Sequence, residues 1–306
     1  MGRRRLVWPL GIKTDSNGDF KSMAKLIRLL LSTLVLACLP AAYANAQFGT
    51  EPAKLTLVKV RDDIYVIHNE FVPGNTTALI TNEGVILVDD KFEVDHDNVV
   101  KMLKTVTSQP VKYVIDTHYH ADHSGGNAKL QAEGTLAVAS IQARQRMVES
   151  NQPGLPNITV QPRGALWLGG KSVEIYWLGR GHTDGDVVVL FPQSKVLAAG
   201  DLFTHGPGLP ELIDYRGGGS AKEWTGTVDK VLQLDFDTVV PGHGDVATKR
   251  EMTAFRDSTK RLTELATQLV KQGKSRPDVE KAMRMEFGWQ DLQVQMSLDG
   301  LLNEMK

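Results

Sequence analysis

The chain has 306 residues, of which 42% are hydrophobic and 23% charged, and its formal net charge is −1. That is enough apolar material for one large globular domain or two small ones. The near-neutral balance, with no basic run or basic-aromatic stripe in the body of the chain, gives no surface for nucleic acid.

The first 46 residues stand apart. Met23-Ala24-Lys25 opens a basic segment that includes Arg28, the apolar run Leu29 to Leu39 follows, and Ala44-Asn45-Ala46 closes it. Basic start, apolar middle and small-x-small end are the layout of a secretory signal peptide. The reading predicts cleavage before Gln47 and a secreted or periplasmic mature chain, 47–306, with residues before Met23 as an upstream extension. The apolar run is too short to span a bilayer comfortably, so no stable membrane insertion is expected once it is removed. Cleavage also removes Cys38, the single cysteine, and leaves the mature chain without a disulfide or a thiolate ligand.

Leu55–Val60 and Ile64–His68 alternate and are rich in β-branched residues, which predicts two strands joined at 61–63. Thr76–Thr81 and Val85–Asp89 form a second pair around Asn82-Glu83-Gly84. Helical spacing covers Asp97–Val106. Lys112–Ile115 is a short buried strand that runs straight into THYHADHSGGN, 117–127. A helix is predicted from Ser124 through Gln131, then a strand at Leu136–Ala139 and a helix at Ile141–Glu149. Asn151–Pro162 reads as a loop, because Pro, Asn and Gly dominate it. Strands follow at Val173–Trp177, Val187–Phe191 and Val196–Ala199. The glycine-rich stretch 206–219 leads into a helix over Ala221–Leu232. A last strand, Thr238–Val240, precedes a helical C-terminal region from Thr248. Two groups of strands, each followed by helices, predict two packed sheets with helices outside.

The chemistry gathers at strand ends. His118 and His120 are two apart in an extended segment, so their side chains point the same way. Asp122 and His123 follow where the chain turns. His182 in GRGHTDGD, Asp201 in AAGDLF and His243 in VVPGHGDV each sit beside glycine after an apolar strand. Imidazole and carboxylate donors suit zinc, with iron or manganese as lesser fits. These seven candidates could hold two ions with a position left open to solvent. His68 and His96 read as surface or capping residues. His205 follows the Asp201 strand and is a candidate pocket residue with Phe71 and Tyr119; Trp167 and Trp177 are weaker ones.

THYHADHSGG, GRGHTDGDVVVLFP, AAGDLF and PGHG, in that order, make the chain resemble the metallo-β-lactamase superfamily of hydrolases from about Leu55 to Asp245. The resemblance implies an α/β fold, a four-layer αββα sandwich with two Zn²⁺ at one edge. It implies that His118, His120 and His182 bind the first zinc, that Asp122, His123 and His243 bind the second, and that Asp201 bridges them. Asp89 matches the carboxylate that steadies the histidine loop. Asp201 stands where one lactamase subclass carries its cysteine, while GHTDGDVVVLFP is very like that subclass. Glyoxalases, lactonases and phosphodiesterases share the bridging aspartate. Two close zincs sharing a water would generate a hydroxide for attack on a carbonyl or phosphoryl centre, with Asp122 orienting it. The expected activity is hydrolysis of a carbonyl-type bond (β-lactam, lactone, ester or thioester) in a small-molecule substrate. A phosphodiesterase and a mononuclear iron persulfide dioxygenase of the same fold stay open as alternatives.

Overall fold

The computed structural model describes residues 49–306. The expected signal segment lies outside the described residues. Among the described residues, no helix is long and apolar enough to cross a membrane.

One sheet has seven strands in sequential order. They are β1 (Thr56–Lys59), β2 (Ile64–His68), β3 (Thr76–Ile80), β4 (Val85–Val88), β5 (Val111–Ile115), β6 (Leu136–Ser140) and β7 (Ile158–Val160). Strands β1 to β4 pair antiparallel, and β4 to β7 pair parallel through helical crossovers. Those crossovers carry α1 (His96–Leu103), α2 (Ala121–Ser124), α3 (Asn127–Ala132) and α4 (Ile141–Glu149). The second sheet has six strands: β8 (Arg163–Leu168), β9 (Lys171–Tyr176), β10 (Val188–Phe191), β11 (Val196–Ala198), β12 (Thr238–Val240) and β13 (Ala247–Thr248). Strands β11 and β12 are parallel, and α5 (Ala221–Val231) lies between them in sequence. Three C-terminal helices follow: α6 (Lys249–Lys271), α7 (Arg276–Phe287) and α8 (Asp291–Glu304).

Alternation of side chains along each strand sorts the apolar residues into layers. Ile86 and Val88 face Val189 and Phe191 in the core between the sheets. Their neighbours Val85 and Leu87 pack outward with Val99, Leu103 and Leu130 of α1 and α3. Val188 and Leu190 pack outward with Trp224, Leu262, Met283 and Leu298 of α5 to α8. The architecture is the four-layer αββα sandwich expected from the sequence.

Several boundaries differ from expectation. The stretch 151–162 is not all loop: Ile158–Val160 forms edge strand β7 on β6. Strand β8, RGALWL, was not expected because Gly164 and Ala165 weaken its pattern, yet it pairs along its whole length with β9. The helix expected from Ser124 begins at Ala121 as α2, breaks at Gly125-Gly126 and resumes as α3.

Strand direction places the site. Strands β4 and β5 are parallel, as are β11 and β12, while β9 and β10 are antiparallel and so are β10 and β11. The C-terminal ends of β4, β5, β9, β11 and β12 therefore serve loops 89–91, 116–127, 177–187, 199–220 and 241–246. Strand β8 runs against β9, so its end, with Trp167, points to the opposite edge. There Gly169 N–H donates to Glu83. Trp167 is 74% exposed and is not brought to the site.

Candidate metal centre

Five imidazoles from three loops meet at one edge, and each has its outer nitrogen bound to an acceptor. His118 Nδ1 lies 3.1 Å from Thr117 Oγ1, which itself donates to Asp89 Oδ2 at 2.8 Å. His120 Nε2 donates to Asp214 Oδ2 at 2.9 Å, and His182 Nδ1 to the Leu212 carbonyl at 2.6 Å. His123 Nδ1 donates to Asp89 Oδ2 at 2.8 Å, and His243 Nδ1 to the Phe71 carbonyl at 2.7 Å. A carbonyl or carboxylate can only accept, and the Thr117 hydroxyl spends its own proton on Asp89, so each outer nitrogen carries a proton and each inner one is the atom left to face a metal.

The inner atoms form two groups. His118 Nε2 and His182 Nε2 lie 3.1 Å and 3.0 Å from His120 Nδ1, and Asp201 Oδ2 is 3.5 Å from His182 Nε2. In the second group His123 Nε2 and His243 Nε2 are 3.2 Å apart, with Asp122 Oδ2 3.6 Å and 3.4 Å from them. Asp201 Oδ1 faces that group at 3.3 Å and 3.5 Å. Asp201 thus offers one oxygen to each group. Tetrahedral zinc with bonds of about 2.0–2.1 Å sets its nitrogen ligands roughly 3.3–3.4 Å apart, close to the spacings here. The buried Asp201 Oδ1 also has no hydrogen-bond donor. Converging lone pairs and an unpaired buried carboxylate oxygen call for cations, and the donor set fits metal ions.

The site's electrostatics say the same. Burial, then the neighbouring His123, drives the His118 imidazole well below its ordinary value. Burial would also lower His243, but Asp201 and Asp122 outweigh it and push it up to about 10. Burial would raise Asp201, yet His243, His123 and His182 hold it well below the usual carboxylate range. A cation is favoured between the carboxylates, and a metal there must displace protons to bind.

Close backbone approach completes the enclosure. A Cβ on Gly74 would stand 2.2 Å from His123 Cε1, and one on Gly242 would stand 1.9 Å from Asp201 Oδ1. Only glycine lets these loops lie against the ligands.

Residues 69–243 match the Metallo-beta-lactamase superfamily. The chain belongs to the metallo-β-lactamase superfamily. Its similarity to the type 2 metallo-beta-lactamase of Bacillus cereus is 29% identity over 197 residues, 63% of this chain and 75% of that protein. The solved metallo-beta-lactamase from Pontibacter korlensis matches in fold at 24% identity and a TM-score of 0.59, over 67% of this chain and 99% of that one. The DIM-1 metallo-beta-lactamase does so at 21% identity and a TM-score of 0.61, over 69% and 99%. The chain is a metal-dependent hydrolase of this superfamily, and enzymes of this kind act on small molecules.

All seven sequence candidates of this superfamily site come together, and Asp89 stands behind two histidines. Tyr119 lies at the rim, where its hydroxyl donates to Asp214 at 2.5 Å. Phe71 acts through its carbonyl on His243, while the residue as a whole is 42% exposed. His205 is placed differently: its Nδ1 lies 3.2 Å from the Asp245 carbonyl, its Nε2 faces Glu251 at 3.9 Å, and its ring stacks on Phe203. Only its backbone joins the site, through a 3.0 Å bond from its N–H to the His243 carbonyl. Trp177 spends its indole N–H on the Asp184 carbonyl. The sequence reading missed Asp214, hidden in a glycine-rich stretch with no ligand spacing. It also missed Lys91, which is fully buried and donates from Nζ to Asn69 Oδ1 at 2.9 Å and to the Gly74 carbonyl at 2.5 Å. That ammonium ties down the 69–74 loop beside His123.

Proposed function

We propose that this protein is a dinuclear zinc hydrolase that cleaves a carbonyl-type bond, such as a β-lactam, lactone, ester or thioester, in a small molecule. In this reading His118, His120 and His182 hold one ion, Asp122, His123 and His243 hold the other, and Asp201 bridges. The observation that carries it is Asp201, with one carboxylate oxygen turned to each group of histidines. Bound ions would supply Lewis acidity and an acidified water.

The chain's own residues do the rest. Thr117, Asp89, Asp214 and the Leu212 and Phe71 carbonyls fix the aim of the five imidazoles. Asp122 is the more open carboxylate, its side chain 19% exposed against 8% for Asp201. It orients the attacking water, takes its proton and returns it to the leaving atom. Phe71 and Tyr119 border the approach to the ions. We further propose that residues 1–46 are removed on export and that 47–306 act outside the cytoplasm as one hydrolase domain with a helical C-terminal region.

Parallel assays with a chromogenic cephalosporin, a lactone, a thioester and a phosphodiester, with and without a zinc chelator, test this. The expected result is chelator-sensitive turnover of at least one carbonyl substrate. Turnover of the phosphodiester alone, or activity indifferent to the chelator, would overturn it.

A further inference from the structure

Helix α8 lies beyond the superfamily match, which ends at His243. It nevertheless reaches the loop that aims the three-histidine group. Ser297, fully buried, accepts the Ile213 N–H at 2.9 Å. Glu304 Oε2 accepts from the Tyr215 hydroxyl at 2.7 Å and from Ala221 N–H at 3.0 Å, and its Oε1 accepts from Ser220 Oγ. Gly300 lies flat against the Tyr215 ring, where a Cβ would come within 2.1 Å of Cδ2.

Between these anchors the same loop faces inward. The Leu212 carbonyl accepts a hydrogen bond from His182 Nδ1, and the Asp214 carboxylate accepts one from His120 Nε2. Asp214 N–H donates back to the His182 carbonyl at 2.9 Å, and Ser220 N–H to that of Gly181 at 2.9 Å. Residues 211–221 are thus clamped on one side by α8 and on the other by the ligand loops. The supports of the other group are the Phe71 carbonyl and Asp89, which also backs His118 through Thr117; they come from the β2–β3 and β4 loops and, among the described residues, have no hydrogen bond to α8.

We infer that α8 is a positioning element for the three-histidine group, acting through Ser297 and Glu304 as positioning residues. The inference rests on the metal reading above and deepens it: the two ion sites share Asp89 as a support, but only the three-histidine group has further supports, the Leu212 carbonyl and Asp214, that depend on the C-terminal helix. Weakening α8 should loosen one metal and spare the other.

The test uses the full chain and zinc ion alone, titrated against a chromophoric chelator. Glu304→Ala is measured in three backgrounds: otherwise unchanged, His243→Ala, which leaves the three-histidine group, and His120→Ala, which leaves the other. Loss of an outer partner lowers metal affinity by about 10–100-fold, and freeing the loop that carries two of them, the Leu212 carbonyl and Asp214, should cost up to that much. That loss is expected in the His243→Ala background, with a change under about threefold in the His120→Ala background. Glu304→Gln keeps one acceptor oxygen and should fall between. Arg276→Ala breaks an exposed ion pair to Asp299 of α8 without touching residues 211–221, and should leave both affinities unchanged. Equal losses in both backgrounds, no loss in either, or the same selective loss from Arg276→Ala would overturn the inference. A wild-type chain that binds no zinc would instead overturn the metal reading on which it rests.

Discussion

Gly242→Ala tests the bridging role of Asp201 without changing any proposed ligand. The new Cβ would stand 1.9 Å from Asp201 Oδ1 and 2.7 Å from the Gly200 carbonyl carbon, whereas real Cβ contacts essentially never fall below 3.0 Å. The carboxylate oxygen must therefore retreat by about 1.1 Å, the difference between these distances. Misplacing a reacting group by about 1 Å can cost roughly 100-fold in rate. Overpacking itself costs about 1–3 kcal/mol, or a fall in Tm of roughly 2–12 °C for a domain of this size. Zinc content and kcat/KM should be measured on one preparation, well below the lowered Tm. The expected result is zinc below two per chain and kcat/KM down about 100-fold. Gly226→Ala in α5 is the control, because its Cβ meets nothing within 4 Å; it should keep full zinc and rate. A Gly242→Ala protein with two zincs and a rate within about threefold of wild type would refute the reasoning.

Burial pushes the Lys91 ammonium from 10.5 down to about 7. Between those values the lysine of the unfolded chain holds a proton that the folded chain's has shed, so the contribution of Lys91 to stability should rise with pH there, by up to about 1.4 kcal/mol per unit. Lys91→Met should remove that slope. Urea midpoints of both proteins at about pH 7.5 and about pH 9.5 check it: the wild-type midpoint should gain on that of Lys91→Met as pH rises, and a difference that stays constant or shrinks would contradict it. His205→Ala should keep both zincs and change kcat/KM by less than about threefold, as its side chain bonds away from the ligands; a larger change would return it to the pocket. Stripping metal with a chelator should lower Tm, since about 2.7 kcal/mol of stabilisation follows when free zinc exceeds Kd 100-fold. A Tm insensitive to chelator argues against occupied sites.

Much of this was legible in the residues, for identifiable reasons. The apolar strands declared themselves by alternation, and the ligands by falling beside glycine at strand ends. Direction followed from topology, because strands joined by a parallel crossover end at the same edge. What stayed hidden was support rather than chemistry. Asp214 reaches His120 across 94 residues, and Ser297 reaches Ile213 across 84. No local period encodes such pairs. The Phe71 and Leu212 carbonyls are backbone groups, to which a residue's identity is nearly blind. His205 misled because it follows the Asp201 strand, yet its backbone pairs with 243–244 and turns its ring to α6. Strand β8 was lost to Gly164 and Ala165, and it forms only because β9 supplies a full register.

The most direct measurement of the central claim is zinc per chain in wild type and in Asp201→Ala, each loaded with excess zinc and freed of unbound metal. The account predicts two zincs in wild type. It predicts no more than one in Asp201→Ala, because each group of histidines loses an oxygen. Wild-type protein that never exceeds one zinc, or Asp201→Ala that retains two with normal turnover, would contradict it.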